Sequence, residues 1–252
     1  MKSLHLLYHE LRTLPSDYSY AMECADFERH CELFAKRQQQ AADAIQATVT
    51  FDDGHRSNYE LALPVLQRHD LRGHFFITAG WIGQRAGYMD WRELRGLHAA
   101  GQAIGAHGWT HTLLTHCTPA QLGHELLDAR LCLEDGLGHA VTTMSLPGGR
   151  SNRRVLEACW AAGYTEVFTS VPGLEPPVRA PRSTVGRLNM RGGVGAEWLE
   201  CLLEPQSKLL ARLRRQERIK HVSRVLLGDR IYARLWSILN HEDRQPATGP
   251  AQ

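Results

Sequence analysis

Two adjacent carboxylates, Asp52 and Asp53, stand in Thr50-Phe51-Asp52-Asp53-Gly54, directly after the apolar run Ala47-Thr48-Val49. Like charges that close raise each other's pKa unless one is neutralised or their roles are divided. A divalent metal does both, taking one Asp as ligand and leaving its neighbour to act as a base. Asp-Gly is also a common turn dipeptide, so this stretch alone reads equally well as a tight turn. A second group shifts the balance. His107 and His111 stand four apart in His107-Gly108-Trp109-Thr110-His111, after the strand-like Ala103-Ile104-Gly105-Ala106. That spacing puts both imidazoles on one face of a helical turn, within reach of a single ion. With Asp53 they make a two-His, one-carboxylate set with open positions for water and substrate. The chain has 14 His, so the pair is weak evidence by itself. Its weight comes from its place at a strand end, where α/β folds put their chemistry.

The rest of the chain must bring these two stretches together. Strand patterns run over Leu4 to His9, Ala47 to Phe51, Gly73 to Thr78, Gln102 to Ala106, Val141 to Leu146, Tyr164 to Ser170 and Thr184 to Met190. Residues 10 to 25 are polar and turn-prone, with Pro15, Ser16 and Asp17, and Asp26 reads as the N-cap of a helix to Gln39. Ser57-Asn58 opens a helix to Gln67 that Pro64 should kink. Asp90 caps Trp91 to Ala100, which Gly101 ends. Thr118 caps a long helix that starts at Pro119 and runs to about Glu134, and Asn152 caps a helix to Ala162. Strand and helix alternate almost throughout, which argues α/β with a mostly parallel sheet and crossover helices.

The 252 residues make about one large domain, and 43% apolar with 22% charged residues is an ordinary globular composition. A net charge of +2 is too near neutral to imply a nucleic-acid partner. The six Cys form no Cys-x-x-Cys pair and read as free thiols of a reducing compartment. The N-terminal Met1 to Glu10 lacks the apolar length and cleavage site of a signal peptide. No run approaches the roughly 18 apolar residues of a spanning helix. These features lead to the expectation of a cytoplasmic protein. Over 208–234, basic residues punctuate an apolar series, as in one or two amphipathic helices. The plain reading is an appendage with a solvated basic face. The sharper one is contact with an acidic partner or with the inner face of a membrane.

Thr50-Phe51-Asp52-Asp53-Gly54 and His107-Gly108-Trp109-Thr110-His111 resemble, in this order, the first two signature motifs of the polysaccharide deacetylase family, the NodB-homology domain of carbohydrate esterase family 4. Motif order and element pattern agree from about Ser3 to Met190. The resemblance implies a distorted (β/α)7 barrel of parallel strands over 1–192, followed by a C-terminal helical extension over 193–252. It implies a metal-dependent hydrolase that removes N- or O-acetyl groups from a carbohydrate during exopolysaccharide or glycolipid assembly. In that scheme Asp53, His107 and His111 hold the metal, most simply zinc, and Asp52 is the base. Pro147-Gly148-Gly149 stands where the third motif supplies an oxyanion-binding N–H, here that of Gly148. Trp109, between the two His, reads first as a packing residue, and an aromatic there can alternatively stack on a sugar.

Two departures qualify this picture. The third motif's Arg, which orients the catalytic Asp, is replaced by Ser145, with Arg150 a substitute from beyond the glycines. The His of the last strand, the family's general acid, is absent from Arg187-Leu188-Asn189-Met190, and no His occurs between His139 and His221. His9, at the end of the first strand, is the candidate replacement as acid or sugar contact. Arg187 is a candidate to polarise the carbonyl or to bind an anionic sugar. The competing expectation is a non-catalytic carbohydrate-binding or scaffold protein derived from a deacetylase.

Overall fold

The computed structural model describes residues 2–39, 45–217 and 219. Its strands are β1 (Ser3–Tyr8), β2 (Glu10–Arg12), β3 (Ala21–Glu23), β4 (Gln46–Phe51), β5 (Gly73–Ile77), β6 (Ala103–Ala106), β7 (Thr143–Ser145), β8 (Glu166–Phe168), β9 (Ser183–Val185) and β10 (Arg187–Asn189). Eight of them form one sheet in the order β10-β1-β4-β5-β6-β7-β8-β9, with every neighbouring pair parallel. The sheet is a nearly closed barrel with helices outside it, the (β/α)7 architecture expected.

Eight strands fill seven barrel positions because β9 and β10 are halves of one extended segment bent at Gly186. The first half pairs with β8 and the second with β1, so one segment joins the two ends of the sheet. The bend needs a glycine: a Cβ at position 186 would lie 2.4 Å from the Val171 carbonyl oxygen. The Gly186 N–H is taken by Glu175 Oε1 at 2.9 Å.

Each strand alternates between two interiors, as the period of two requires. Leu4, Leu6, Tyr8, Val49, Phe51, Phe75, Ile77, Ile104, Met144 and Leu188 point outward into the main apolar core, with Phe27, Cys31 and Phe34 of helix α1 (Cys24–Gln38). The opposite parity lines the barrel. There Phe76 of β5 meets Phe168 of β8 at 4.8 Å between ring centroids, although β6 and β7 separate them in the sheet. The lining is largely polar: His5 Nδ1 lies 2.5 Å from Thr48 Oγ1 while its Nε2 is buried without a partner, and His74 Nε2 lies 2.8 Å from Thr143 Oγ1.

The remaining helices are α2 (Leu63–Arg68), α3 (Trp91–Ala99), α4 (Pro119–Gly123), α5 (Ala129–Leu137), α6 (Arg153–Ala161) and α7 (Ala196–Leu202). Asp90 and Thr118 both cap as expected, each in a reciprocal capping box. Three details depart from the expectations. The polar stretch after β1 contains β2 and β3, a parallel pair that buries Leu11, Ala21 and Met22. Because β3 leads straight into α1, the helix starts at Cys24 with Glu23 in the cap position, and Asp26 falls in its first turn. Pro64 sits within a helical run that is continuous over 57–68, where a π-helical turn, Asn58–Ala62, directly precedes α2 and accommodates the proline.

Beyond the last strand, α7 lies on α1. Arg37 donates to the carbonyl oxygens of Leu203 (3.2 Å) and Glu200 (3.3 Å) and pairs with Glu204 at 2.7 Å. Leu199, Leu202, Leu203 and Leu210 join the main core. Residues 209–217 are helical; the rest of the basic stretch expected over 208–234, apart from Ile219, lies outside the described residues. Among the described residues no helix is long and apolar enough to cross a membrane.

Gly105 on β6 tests how tightly the barrel interior is filled. A Cβ there would lie 2.5 Å from Thr143 Oγ1 and 2.6 Å from the Phe76 ring. Gly105→Ala is expected to destabilise by about 1–3 kcal/mol through overpacking. The urea midpoint should fall with the slope of the transition unchanged.

Candidate metal centre

Asp52 and His107 each stand one residue past a strand, on the same rim. The Asp52 N–H donates to Tyr8 O at 3.0 Å and the His107 N–H to Ile77 O at 2.8 Å, so each ladder continues one bond further and fixes the following turn. Those turns are strained. Among the described residues only four non-glycines have positive φ, and two are Asp53 (73°) and His111 (65°). Backbone held in this region persists where the surroundings over-determine it, and such residues concentrate at functional sites.

The two turns bring three donors together. Asp53 Oδ1 is 3.3 Å from His107 Nε2 and 3.2 Å from His111 Nε2. Neither approach has hydrogen-bond geometry, and Asp53 Oδ1 is a buried oxygen without a hydrogen-bond partner. The His107 tautomer explains why. Its Nδ1 lies 2.8 Å from Ser145 O, and a carbonyl can only accept, so Nδ1 carries the proton. In the neutral ring, the Nε2 lone pair then faces a carboxylate lone pair, an arrangement that calls for a cation between them. Electrostatics agrees: burial works against charge on His107, yet Asp52 and Asp53 hold its pKa above the ordinary value. Burial likewise favours a neutral Asp53, yet His107 and His111 hold its pKa well below the ordinary carboxylate value. One oxygen and two imidazole nitrogens, all within 4.8 Å of one another, fit a divalent ion such as zinc, and the set also suits other first-row metals.

Asp52 is held differently. Arg187 grips it with both prongs, Nη1 to Oδ1 at 2.7 Å and Nη2 to Oδ2 at 2.8 Å, and Ser145 Oγ donates to Oδ2 at 2.9 Å. The guanidinium is wholly buried: Nη2 also reaches Ser145 Oγ (2.6 Å), Nη1 reaches Thr50 Oγ1 (3.3 Å) and Nε reaches Thr169 O (3.3 Å). The Phe76 and Phe168 rings lie 5.3 and 5.8 Å from its Cζ. Burial pushes the Asp52 pKa up, but Arg187 and His107 outweigh it and the carboxyl stays below its ordinary value. This corrects two expectations. Arg187 does not reach out to a carbonyl or a sugar, because its donors are spent inside the barrel. The guanidinium on Asp52 is that of Arg187, not Arg150, and it meets Ser145 where the family pattern places its Arg.

Glu125 is a further participant that sequence reasoning missed. Its buried carboxylate accepts from the Trp109 N–H (2.8 Å), the Thr110 N–H (3.0 Å) and Thr110 Oγ1 (2.5 Å), all in the turn between the two His. Gly108, with φ 80°, makes room for it: a Cβ there would lie 2.9 Å from Glu125 Oε2. Glu125 sits on a π-helical turn, His124–Asp128, within the long helical run from α4 to α5. A signal was present, since Glu125 interrupts the buried stripe Leu122, Leu126, Ala129 and Leu133.

The other candidates fall around this core. Pro147-Gly148-Gly149 adjoins the His turn: a Cβ on Gly108 would be 3.7 Å from Pro147 Cγ, and one on Gly148 would be 2.8 Å from Leu113 Cδ2. His9 follows Tyr8, which pairs with Phe51, so it lies across from Asp52. Its ring packs on Tyr20 at 5.0 Å, its Nδ1 is buried without a partner, and burial lowers its pKa although Asp53 and Asp52 pull the other way. The Trp109 ring goes to His124 (4.8 Å) and closes over Gly80, which fits the packing role of the two expected and not the sugar-stacking one. The indole beside the candidate triad is that of Trp81, 5.3 Å from the His111 ring.

Residues 39–167 match the family described as polysaccharide deacetylase. A Bacillus subtilis relative, YxkH, is 30% identical over 125 residues, 50% of this chain and 44% of its own length. The peptidoglycan-N-acetylglucosamine deacetylase PgdA of Listeria monocytogenes is 32% identical over 110 residues, 43% of this chain and 22% of its own length. The chain thus spans less than half the length of these two relatives. Among solved structures, the Streptococcus pyogenes deacetylase PplD superposes with a TM-score of 0.72 at 17% identity, over 81% of this chain and 99% of that one.

Two substitutions test the geometry. Glu125→Gln puts an N–H where an acceptor is needed and is expected to weaken zinc binding about 10–100-fold. Competition with a chromogenic chelator measures this, with circular dichroism as the control for folding. Arg187→Met removes the largest influence that depresses the Asp52 pKa and leaves burial opposed mainly by His107, so that pKa rises. The acid limb of any reaction that needs ionised Asp52 then moves to higher pH, seen in the pH profile of kcat/KM. The unpaired buried charge is also expected to cost about 3–5 kcal/mol of stability, read from thermal unfolding.

Proposed function

The chain belongs to the polysaccharide deacetylase family, and from that premise we propose that it hydrolyses acetyl groups from a carbohydrate in a metal-dependent reaction. The observation that carries the reading is the pairing of a cation-demanding triad, Asp53, His107 and His111, with a separately clamped carboxylate, Asp52. Asp53, His107 and His111 would hold a divalent ion, whose Lewis acidity would lower the pKa of the attacking water and polarise the acetyl carbonyl.

The chain's own groups divide the remaining work. Asp52, kept ionised by Arg187, takes the proton from the attacking water. Arg187 and Ser145 fix both of its oxygens, so the lone pairs left free point in a set direction. The Gly148 N–H donates to the oxyanion as the carbonyl carbon becomes tetrahedral. His9, uncharged near neutral pH because burial lowers its pKa, contacts the sugar or donates a hydrogen bond to the leaving oxygen. Asn189, on the last strand, has no proton to give as an acid, and its Oδ1 is buried and unpartnered. Without an imidazolium donor, loss of an alkoxide is easier than loss of an amine anion. We therefore favour O-acetyl over N-acetyl groups, on a glycan or glycolipid under assembly. The same lack of an imidazolium donor favours the second reading, a carbohydrate-binding protein that retains the metal site without turnover.

Elemental analysis of purified protein and acetate release from O- and N-acetylated oligosaccharides decide between them. The expected result is one metal per chain and acetate release that falls about 100-fold or more in Asp52→Asn. Metal bound without acetate release from any acetylated sugar would favour the binding protein. Failure to retain zinc after reconstitution would rule out both metal-based readings.

A further inference from the structure

We propose that the rim of this site selects an anionic glycan, with Arg85 reading the carboxylate or phosphate of the sugar bound beside His111. The proposal rests on the carbohydrate reading above and names the class of carbohydrate.

Arg85 is built into a platform. Its Cζ lies 4.0 Å from the Trp81 ring centroid and 4.7 Å from that of Tyr88, and the two rings meet edge to face at 4.6 Å. Trp81 in turn lies 5.3 Å from His111. The segment is stitched to the turn that carries Asp53: the Met89 N–H donates to Gly54 O (3.0 Å) and the Arg56 N–H to Gly87 O (2.8 Å). The platform therefore spans both turns that carry the triad. Stacking on aromatic faces uses the guanidinium's π surface and leaves its N–H donors, which point outward in its plane, for a planar anion. Arg85 is exposed, and among the described residues no carboxylate pairs with it. A second guanidinium, Arg191, stacks on Tyr20 at 5.2 Å, and Tyr20 packs on His9.

The carboxylates near the site are already committed. Asp52 is held by Arg187, Glu93 by Arg56, Glu10 by Arg12 and His55, and Glu125 by the amides of the His turn. The charge left to meet a ligand beside His111 is the cationic one of Arg85. A guanidinium fixed in place before binding loses little entropy when it pairs with an anion.

Calorimetry of the zinc-loaded protein tests this with three probes: a neutral tetramer of N-acetylglucosamine, the same tetramer with a terminal phosphate, and a tetrasaccharide of alternating N-acetylglucosamine and glucuronate. An anionic probe is expected to bind about tenfold more tightly than the neutral one, and the advantage should shrink as ionic strength rises. Which anionic probe wins distinguishes an in-chain carboxylate from a phosphate. In Arg85→Gln the anionic-to-neutral ratio should fall about fivefold. Trp81→Ala removes the face that holds the guanidinium, so it should weaken all probes and also lower that ratio, by less than Arg85→Gln does. Equal affinity for charged and neutral probes, or an unchanged ratio in Arg85→Gln, overturns the proposal while leaving the deacetylase reading intact. No binding of any probe overturns both.

Discussion

The buried pair between Arg187 and Asp52 is the constraint around which the barrel interior is arranged. A wholly buried guanidinium is tolerable only when its charge is matched and its donors are filled. Asp52 supplies the charge, and Ser145, Thr50 and Thr169 fill the remaining donors. Phe76 and Phe168 form the low-dielectric wall that strengthens the pair. The polar ring residues deeper in the barrel, His5 and His74, are kept uncharged by this setting. Burial and the nearby arginines lower the His5 pKa to about 4 and that of His74 to about 3.

Around this fixed carboxylate, the triad depends on two turns that the backbone does not adopt willingly. Positive φ at Asp53 and His111 raises the energy of each turn, and external bonds offset it. The Ala79 and Gly80 N–H groups donate to Gly108 O and Trp109 O at 2.9 Å each, and Glu125 takes the amides of Trp109 and Thr110 from the other side. The His turn is thus gripped by a neighbouring loop and by a helix. Bound metal would not have to organise it.

The parts of this arrangement that were legible in sequence are those whose chemistry depends on close spacing. Asp52-Asp53 and the His107/His111 pair lie within a few residues of one another, and the strands that carry them show apolar runs. Arg187 was visible as a charged residue in a strand, but its partner is 135 positions away and no local rule connects the two. Its parity with Val185 was the available hint that it faces the barrel interior. The Trp81–Arg85–Tyr88 platform was hidden for the same reason, since its relation to His111 exists only in space. Strands of three residues, such as β2 and β3, are too short for periodicity to reveal, and the π-helical turn before Pro64 has no sequence signature of its own.

The bend at Gly186 ties assembly of the barrel to assembly of its charges. The segment that carries Arg187 is also the one that zips the seam between the first and last strands. Once the seam closes, the pair resists reopening, because parting the strands would separate two buried charges that match each other. The pair therefore acts as a latch between chain positions 135 residues apart. In such a barrel, the geometry that clamps Asp52 also certifies that the last strand is in place.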